Sequence, residues 1–182
     1  MIRFATIDDS HSVAPLMLQA MEEIVHKIIG REDNVEAVAF LKTLFEEEAN
    51  QYSHQNTLVF EGAKGQVLGS LVFYDGADLH ALRQPVLDLA SQRYGTVIAM
   101  EDETAAGEIY IDTLSVHPMA QGKGVGSKLI SYLKAYTQQP IGLLVDTKNP
   151  HAERLYTRLG FHYQSDVPLA GGLYKHLQYT RE

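Results

Sequence analysis

At 182 residues the chain is long enough for one domain with a substantial core and too short to expect two. It contains no cysteine, which removes disulfides, thiolate zinc sites and cysteine nucleophiles, and no stretch approaches the roughly 18–20 apolar residues needed to cross a bilayer. The formal net charge of −8 argues against general nucleic-acid binding, which needs clustered Lys and Arg; it suits a basic partner such as an amine, or serves only solubility.

Met1–Asp9 carries an acidic pair where a secretory signal would need a long apolar run, so a cytoplasmic protein with no membrane partner is expected. Within it, Ile2-Arg3-Phe4 reads as a short strand. Asp8, Asp9 or Ser10 can cap a helix whose apolar stripe is Val13, Leu16, Met17, Ala20, Ile24 and Ile28, and Gly30 ends it. A second helix starts near Asp33 and carries Val38, Leu41 and Phe45 before a polar loop. Thr57–Glu61 and Val67–Tyr74 predict a hairpin turning through Gly62–Gly65, with Gly69 marking a bulge or a close backbone approach. Asp75–Gly107 is the least regular part: a short helix over Pro85–Arg93, a short strand over Thr96–Met100 and an exposed acidic loop over Glu101–Gly107.

The pattern then sharpens. Glu108–Val116 predicts a strand that His117-Pro118 stops, and Gln121–Gly126 leads into a helix with Val125, Leu129, Leu133 and Tyr136 on one face. Ile141–Val145 reads as a buried strand. Asn149-Pro150 opens a helix with Ala152, Leu155, Tyr156 and Leu159 inward and Gly160 as its C-cap. Phe161–Tyr163 and Leu173–Tyr179 start and supply the last strands. The order β-α-α-β-β, an insert, then β-α-β-α-β-β predicts a single mixed α/β domain spanning 1–182, with βαβ crossovers in its second half. The eight histidines show neither H-x-x-x-H nor H-E-x-x-H spacing, so no metal site is expected.

Gln121-Gly122-Lys123-Gly124-Val125-Gly126 lies between a strand and a helix, where glycines let backbone N–H groups approach a ligand and the helix N-terminus favours an anion such as pyrophosphate. It is neither of two familiar phosphate loops. A Walker loop needs Ser or Thr after Gly122-Lys123, and the dinucleotide fingerprint needs glycine where Ser127 stands.

The pattern it does contain, Q-x-x-G-x-G preceded by Leu114-Ser115-Val116-His117-Pro118, resembles the acetyl-CoA loop of the GNAT superfamily of N-acetyltransferases. Asn149, Ala152, Leu155-Tyr156 and Leu159-Gly160-Phe161 are similar to that family's later block, in the same order and separation. The resemblance covers about the C-terminal half of the domain. It implies a central, mixed but mostly antiparallel sheet flanked by helices, with two strands splayed at the acetyl-CoA site. It further implies transfer of acetyl from acetyl-CoA, a co-substrate, to a primary amine by direct attack in a ternary complex. Dimers are common in that family, so a homodimer is an assembly the resemblance allows.

By resemblance, Leu114, Ser115 and Val116 pair with the pantetheine arm, Gln121, Gly122, Gly124, Val125 and Gly126 cradle the pyrophosphate, and Lys123 and Ser127 approach its oxygens. Asn149 bonds the cofactor arm, unless it is only a helix cap. Tyr156 matches the acid that protonates the leaving thiolate, unless it is only core. Glu108 and Asp112, four apart on one strand face with Tyr110 between them, are the candidate bases, with a slight preference for Glu108. The insert, just before that strand, is expected to wall the acceptor site, with its Tyr74-Asp75 entry, His80 and Arg83 as polar groups. The alternative is a domain that binds an acyl-CoA without turning it over, as a sensor or regulatory module.

Overall fold

All seven strands of residues 1–181, the part of the chain that the computed structural model describes, belong to one sheet. They are β1 (Ile2–Phe4), β2 (Thr57–Glu61), β3 (Val67–Asp75), β4 (Ile109–Val116), β5 (Ile141–Asp146), β6 (His162–Leu169) and β7 (Gly172–Tyr179), in the spatial order β1-β2-β3-β4-β5-β7-β6. Only β4 and β5 run parallel; the other neighbours are antiparallel. That one parallel pair follows from the crossover helix α4 (Val125–Tyr136), since parallel strands cannot be joined by a tight turn.

Alternation along β3 separates two layers. Val72 packs with α1 (Ser10–Ile29) and α2 (Asn34–Glu46), while Leu71 and Phe73 pack with Leu129, Ile130 and Leu133 of α4. On the α4 side the second half of the sheet is covered by α5 (Pro150–Arg158), through Ala152, Tyr156 and Leu159. Fully buried side chains such as Leu41, Leu71 and Leu129 each contribute about 1.5–3 kcal/mol by leaving water. Helix α2 starts where expected because Asp33 accepts hydrogen bonds from Val35 N and Glu36 N. The hairpin ladder shifts register at Leu68, beside Gly69, as expected there. No helix of the described residues is long and apolar enough to cross a membrane.

The insert departs from expectation in three ways. Its helix is longer, α3 from Leu79 to Tyr94, with Pro85 inside it. The buried stripe of α3 is Leu79, Arg83, Val86 and Ala90, so the periodicity is broken in hydropathy by an arginine whose buried partner, Glu103, lies twenty residues on. Thr96–Met100 forms no strand. Thr96 Oγ1 donates to Ile28 O, and Ile98 and Met100 pack on the α1–α2 core instead of joining a sheet edge. In the acidic run Glu101–Gly107, Glu103 and Thr104 are buried rather than exposed.

Candidate active site

β4 and β5 pair only at Ile109↔Ile141, Tyr110↔Gly142 and Ile111↔Leu143. On its other edge β4 pairs Thr113 with Val72 and Ile111 with Phe73, which leaves Asp112 as an extra, bulged residue. A bulge bends its strand and re-aims a side chain. From Asp112 onward β4 and β5 separate, and a cleft of about 1050 Å³ opens between them. Its walls are the ends of β4 and β5, the loop before α4, the start of α5 and the stretch Gln19–Ile24 of α1, where that helix leaves helical geometry at Met21 (φ −142°, ψ 31°).

The glycine loop and the start of α4 form one wall of the cleft. Gly122, Gly124, Val125, Gly126 and Ser127 all line it. No side chain caps α4, so its first-turn amides face the cleft without helical partners, and the helix dipole adds positive potential there. Gln121 also lines the cleft, but its Nε2 donates to Val116 O (3.1 Å), as does Gln19 Nε2 (3.1 Å), fastening loop and α1 to the end of β4. Lys123 is turned back on its own loop, donating to Met119 O at 2.8 Å, and is not among the lining residues.

Leu114, Ser115 and Val116 line the cleft along β4. Asn149 Oδ1 accepts from Ala152 N (3.1 Å), so the helix-cap role is present, and the residue also borders the cleft. Tyr156 does two things at once. Its ring packs 5.9 Å from that of Phe161, and it borders the cleft. Burial pushes its pKa up to about 12, so the phenol keeps its proton through the neutral range.

Acidic groups line the cleft as well: Asp112, Glu22 and Glu23 of α1 and Asp146 of β5, beside the basic Lys148 and Arg158 and with Tyr174 of β7. Tyr74 Oη donates to Asp112 Oδ2 at 2.8 Å. Burial first, then the negative charge of Glu103, push the Asp112 pKa up to about 8. Glu108 is placed differently, buried and outside the cleft lining. It accepts from Gln178 Nε2 and Thr104 Oγ1, each at 2.8 Å, and His176 Nε2 lies 2.8 Å from Oε2. Burial pushes its pKa up, but these bonds outweigh that and hold it below the usual carboxylate range. The two acids four residues apart thus occupy unlike surroundings, and only Asp112 faces open space.

The insert supplies no residue of the cleft wall; it acts one layer behind, through Glu103 and Arg83. Tyr74 and Arg83, expected as polar groups of the insert's wall, therefore lie behind the cleft and not on it, and nothing in the sequence singles out Gln51, Glu103 or Tyr174.

Residues 31–161 match the model of the acetyltransferase (GNAT) family. Among curated proteins, the chain is similar to spermine/spermidine N(1)-acetyltransferase of Bacillus subtilis, 29% identical over 83 residues that make up 43% of this chain and 55% of that protein. It is also similar to mycothiol acetyltransferase of Actinosynnema mirum, 34% identical over 46% of this chain and 29% of that protein. The chain therefore spans about half or less of the length of the curated relatives it matches. Among solved structures, the crystal structure of an acetyltransferase covers 100% of both chains at 31% identity with a TM-score of 0.80. An N-acetyltransferase from Staphylococcus aureus Mu50 superposes with a TM-score of 0.86 over 98% of this chain and 99% of its own, at 22% identity.

Proposed function

The chain belongs to the GNAT acetyltransferase family, and from that premise we propose that it transfers acetyl from acetyl-CoA to a primary amine of a small molecule or peptide by direct attack in a ternary complex. The observation that carries this reading is that one cleft holds free helix-terminal amides, a protonated phenol and a carboxyl group free to exchange a proton. At about 1050 Å³ it stands at the top of the roughly 300–1,000 Å³ range of small-molecule sites, which suits two substrates together.

The residues divide the work. The first-turn amides of α4 and the glycine loop hold the pyrophosphate, and the free edge of β4 over Leu114–Val116 pairs with the extended arm. Asp112, as carboxylate, takes a proton from the acceptor ammonium, because only the neutral amine can attack. The C–N bond forms as the C–S bond breaks, and Tyr156 gives its proton to the departing thiolate. The second proton of the amine leaves through solvent as Tyr156 is reprotonated. Most of the acceleration comes from holding the two reactants in line. Four acids on the cleft, Glu22, Glu23, Asp112 and Asp146, against the bases Lys148 and Arg158, support a cationic acceptor, in keeping with a relative that bears the name spermine/spermidine N(1)-acetyltransferase.

The test is release of free thiol from acetyl-CoA with a panel of mono-, di- and polyamines. Turnover is expected, and Tyr156→Phe should lower kcat about 10²-fold with little change in the KM for acetyl-CoA, because ring packing survives and only the proton donor is lost. Binding of acetyl-CoA with no thiol released for any amine would favour a non-catalytic acyl-CoA-binding domain instead.

A further inference from the structure

Behind Asp112 lies a buried ion pair that the acetyl-transfer reading leaves unused. Arg83 NH2 donates to Glu103 Oε2 at 2.5 Å, and both side chains are buried. The same guanidinium donates to Met100 O (3.2 Å), Glu101 O (3.0 Å) and Asp102 Oδ1 (3.2 Å), so it is anchored to the insert on several sides. Buried ion pairs are weak sources of stability, because desolvation offsets most of the attraction. Stability alone is thus a poor account of this one.

Counting donors gives a better one. Gln51 Nε2 donates to Glu103 Oε1 (2.9 Å) and to the Tyr74 hydroxyl oxygen (3.0 Å). With Arg83 on its other oxygen, Glu103 is served by N–H donors on both sides. The Tyr74 hydroxyl has one proton to give. It lies 3.3 Å from Glu103 Oε1 and 2.8 Å from Asp112 Oδ2, and the satisfied Glu103 leaves that proton to Asp112. A continuous chain of contacts therefore runs from the insert to the bulge of β4.

We propose that Glu103 and Arg83 are positioning residues for acetyl transfer: their ion pair fixes the direction of the Tyr74 hydroxyl and, through it, the orientation of Asp112, while their two charges act on its proton directly. This rests on the reading of Asp112 as proton acceptor. The groups that face Asp112 are Tyr74 from β3, Tyr110 from β4, Tyr52 from the segment before β2, and Glu103 and Arg83 from the insert, with Glu22 and Glu23 of α1 on the same cleft. Burial and the Glu103 charge favour the protonated form of Asp112; the Tyr74 hydrogen bond and the Arg83 charge favour the carboxylate.

The experiment titrates the Asp112 carboxyl directly, by carbon-13 NMR of the folded full chain, with the resonance assigned from Asp112→Asn. The pH dependence of kcat/KM for the best amine is measured alongside. Glu103→Gln keeps the volume and removes the charge, so the Asp112 midpoint should fall by about one unit and the acidic limb of kcat/KM should move with it. Tyr74→Phe removes a bond to the carboxylate, so the midpoint should rise. A merely structural role would lower kcat and leave both midpoints where they were. Midpoints within about 0.2 unit of the parent, in either folded variant, overturn the proposal. If Glu103→Gln does not fold, Arg83→Gln takes its place: losing the guanidinium charge should raise the Asp112 midpoint, and a folded variant with the parental midpoint overturns the proposal. Midpoints that shift while the rate profile stays still would keep the network and remove Asp112 from proton transfer, which is the failure of the earlier reading and not of this one.

Discussion

Glu108 and Asp112 were indistinguishable as letters four apart on a strand, and their difference lies wholly in what surrounds them. Glu108 is committed to Thr104, His176 and Gln178, none of which is near it in sequence except Thr104. Even Gly142 belongs to that arrangement, since a Cβ there would collide with the Glu108 carboxylate. Asp112 has a single donor and open space. Its raised pKa has a consequence for stability whose sign can be worked out. The unfolded chain releases the Asp112 proton at about pH 3.9, whereas the folded protein holds it to about pH 8. Between those values the folded state binds the extra proton, so this group's contribution to stability falls as pH rises through that window. Asp112→Asn, neutral throughout, should therefore raise Tm by a few degrees at pH 8 and by much less at pH 5, while lowering kcat. Thermal melts at the two pH values check this; a Tm gap of equal size at both would detach the effect from titration.

Whether an element could be read from the sequence depended on where its partners lie. The glycine loop, α4, β5 and α5 are specified by local signals: turn glycines, an Asn-Pro start and apolar stripes of helical period. They fall within a residue or so of expectation. The splay of β4 from β5 was legible only through family resemblance, because a bulge at Asp112 leaves no local mark. Helix α3 is longer than its sequence suggests because Pro85 reads as a helix start, and a buried arginine at position 83 interrupts the apolar stripe that would have extended it. The glycine-loop wall of the cleft is thus specified by local signals, whereas the surroundings of Asp112, built from long-range pairs such as Arg83–Glu103, are not. The loop supports a prediction of its own. Gly124 has φ +77°, a left-handed conformation costly for a β-branched residue, and nothing crowds its Cβ position within 4 Å. Gly124→Val should therefore leave the core intact while moving the loop amides, weakening acetyl-CoA binding at least tenfold, or about 1.4 kcal/mol. Calorimetry showing parental affinity in a folded variant would remove the loop from the cofactor site.

At the scale of the whole molecule, the proposed reaction asks two things of the charge. A net −8 would repel an anionic cofactor, so acetyl-CoA would have to be held by short-range donors at the start of α4, while the same charge would attract a cationic amine from a distance toward a cleft that Glu22, Glu23, Asp112 and Asp146 line beside Lys148 and Arg158. Two explanations of the acidic composition, solubility and steering, thereby become separable. Exposed charges are screened beyond about 10 Å at 0.1 M salt and about 3 Å at 1 M. If the field steers the acceptor, raising the salt from about 0.02 M to about 0.5 M should lower kcat/KM for a dication by roughly tenfold, since steering contributes about 10–10³ to association. The slope should be shallower for a monocation of similar length, and kcat at saturating amine should hold nearly constant, because chemistry in the formed complex no longer depends on approach. Steady-state rates for a matched mono- and diamine pair across that range decide it. Equal slopes for the two amines, or none, would leave the acidic surface with solubility as its only role.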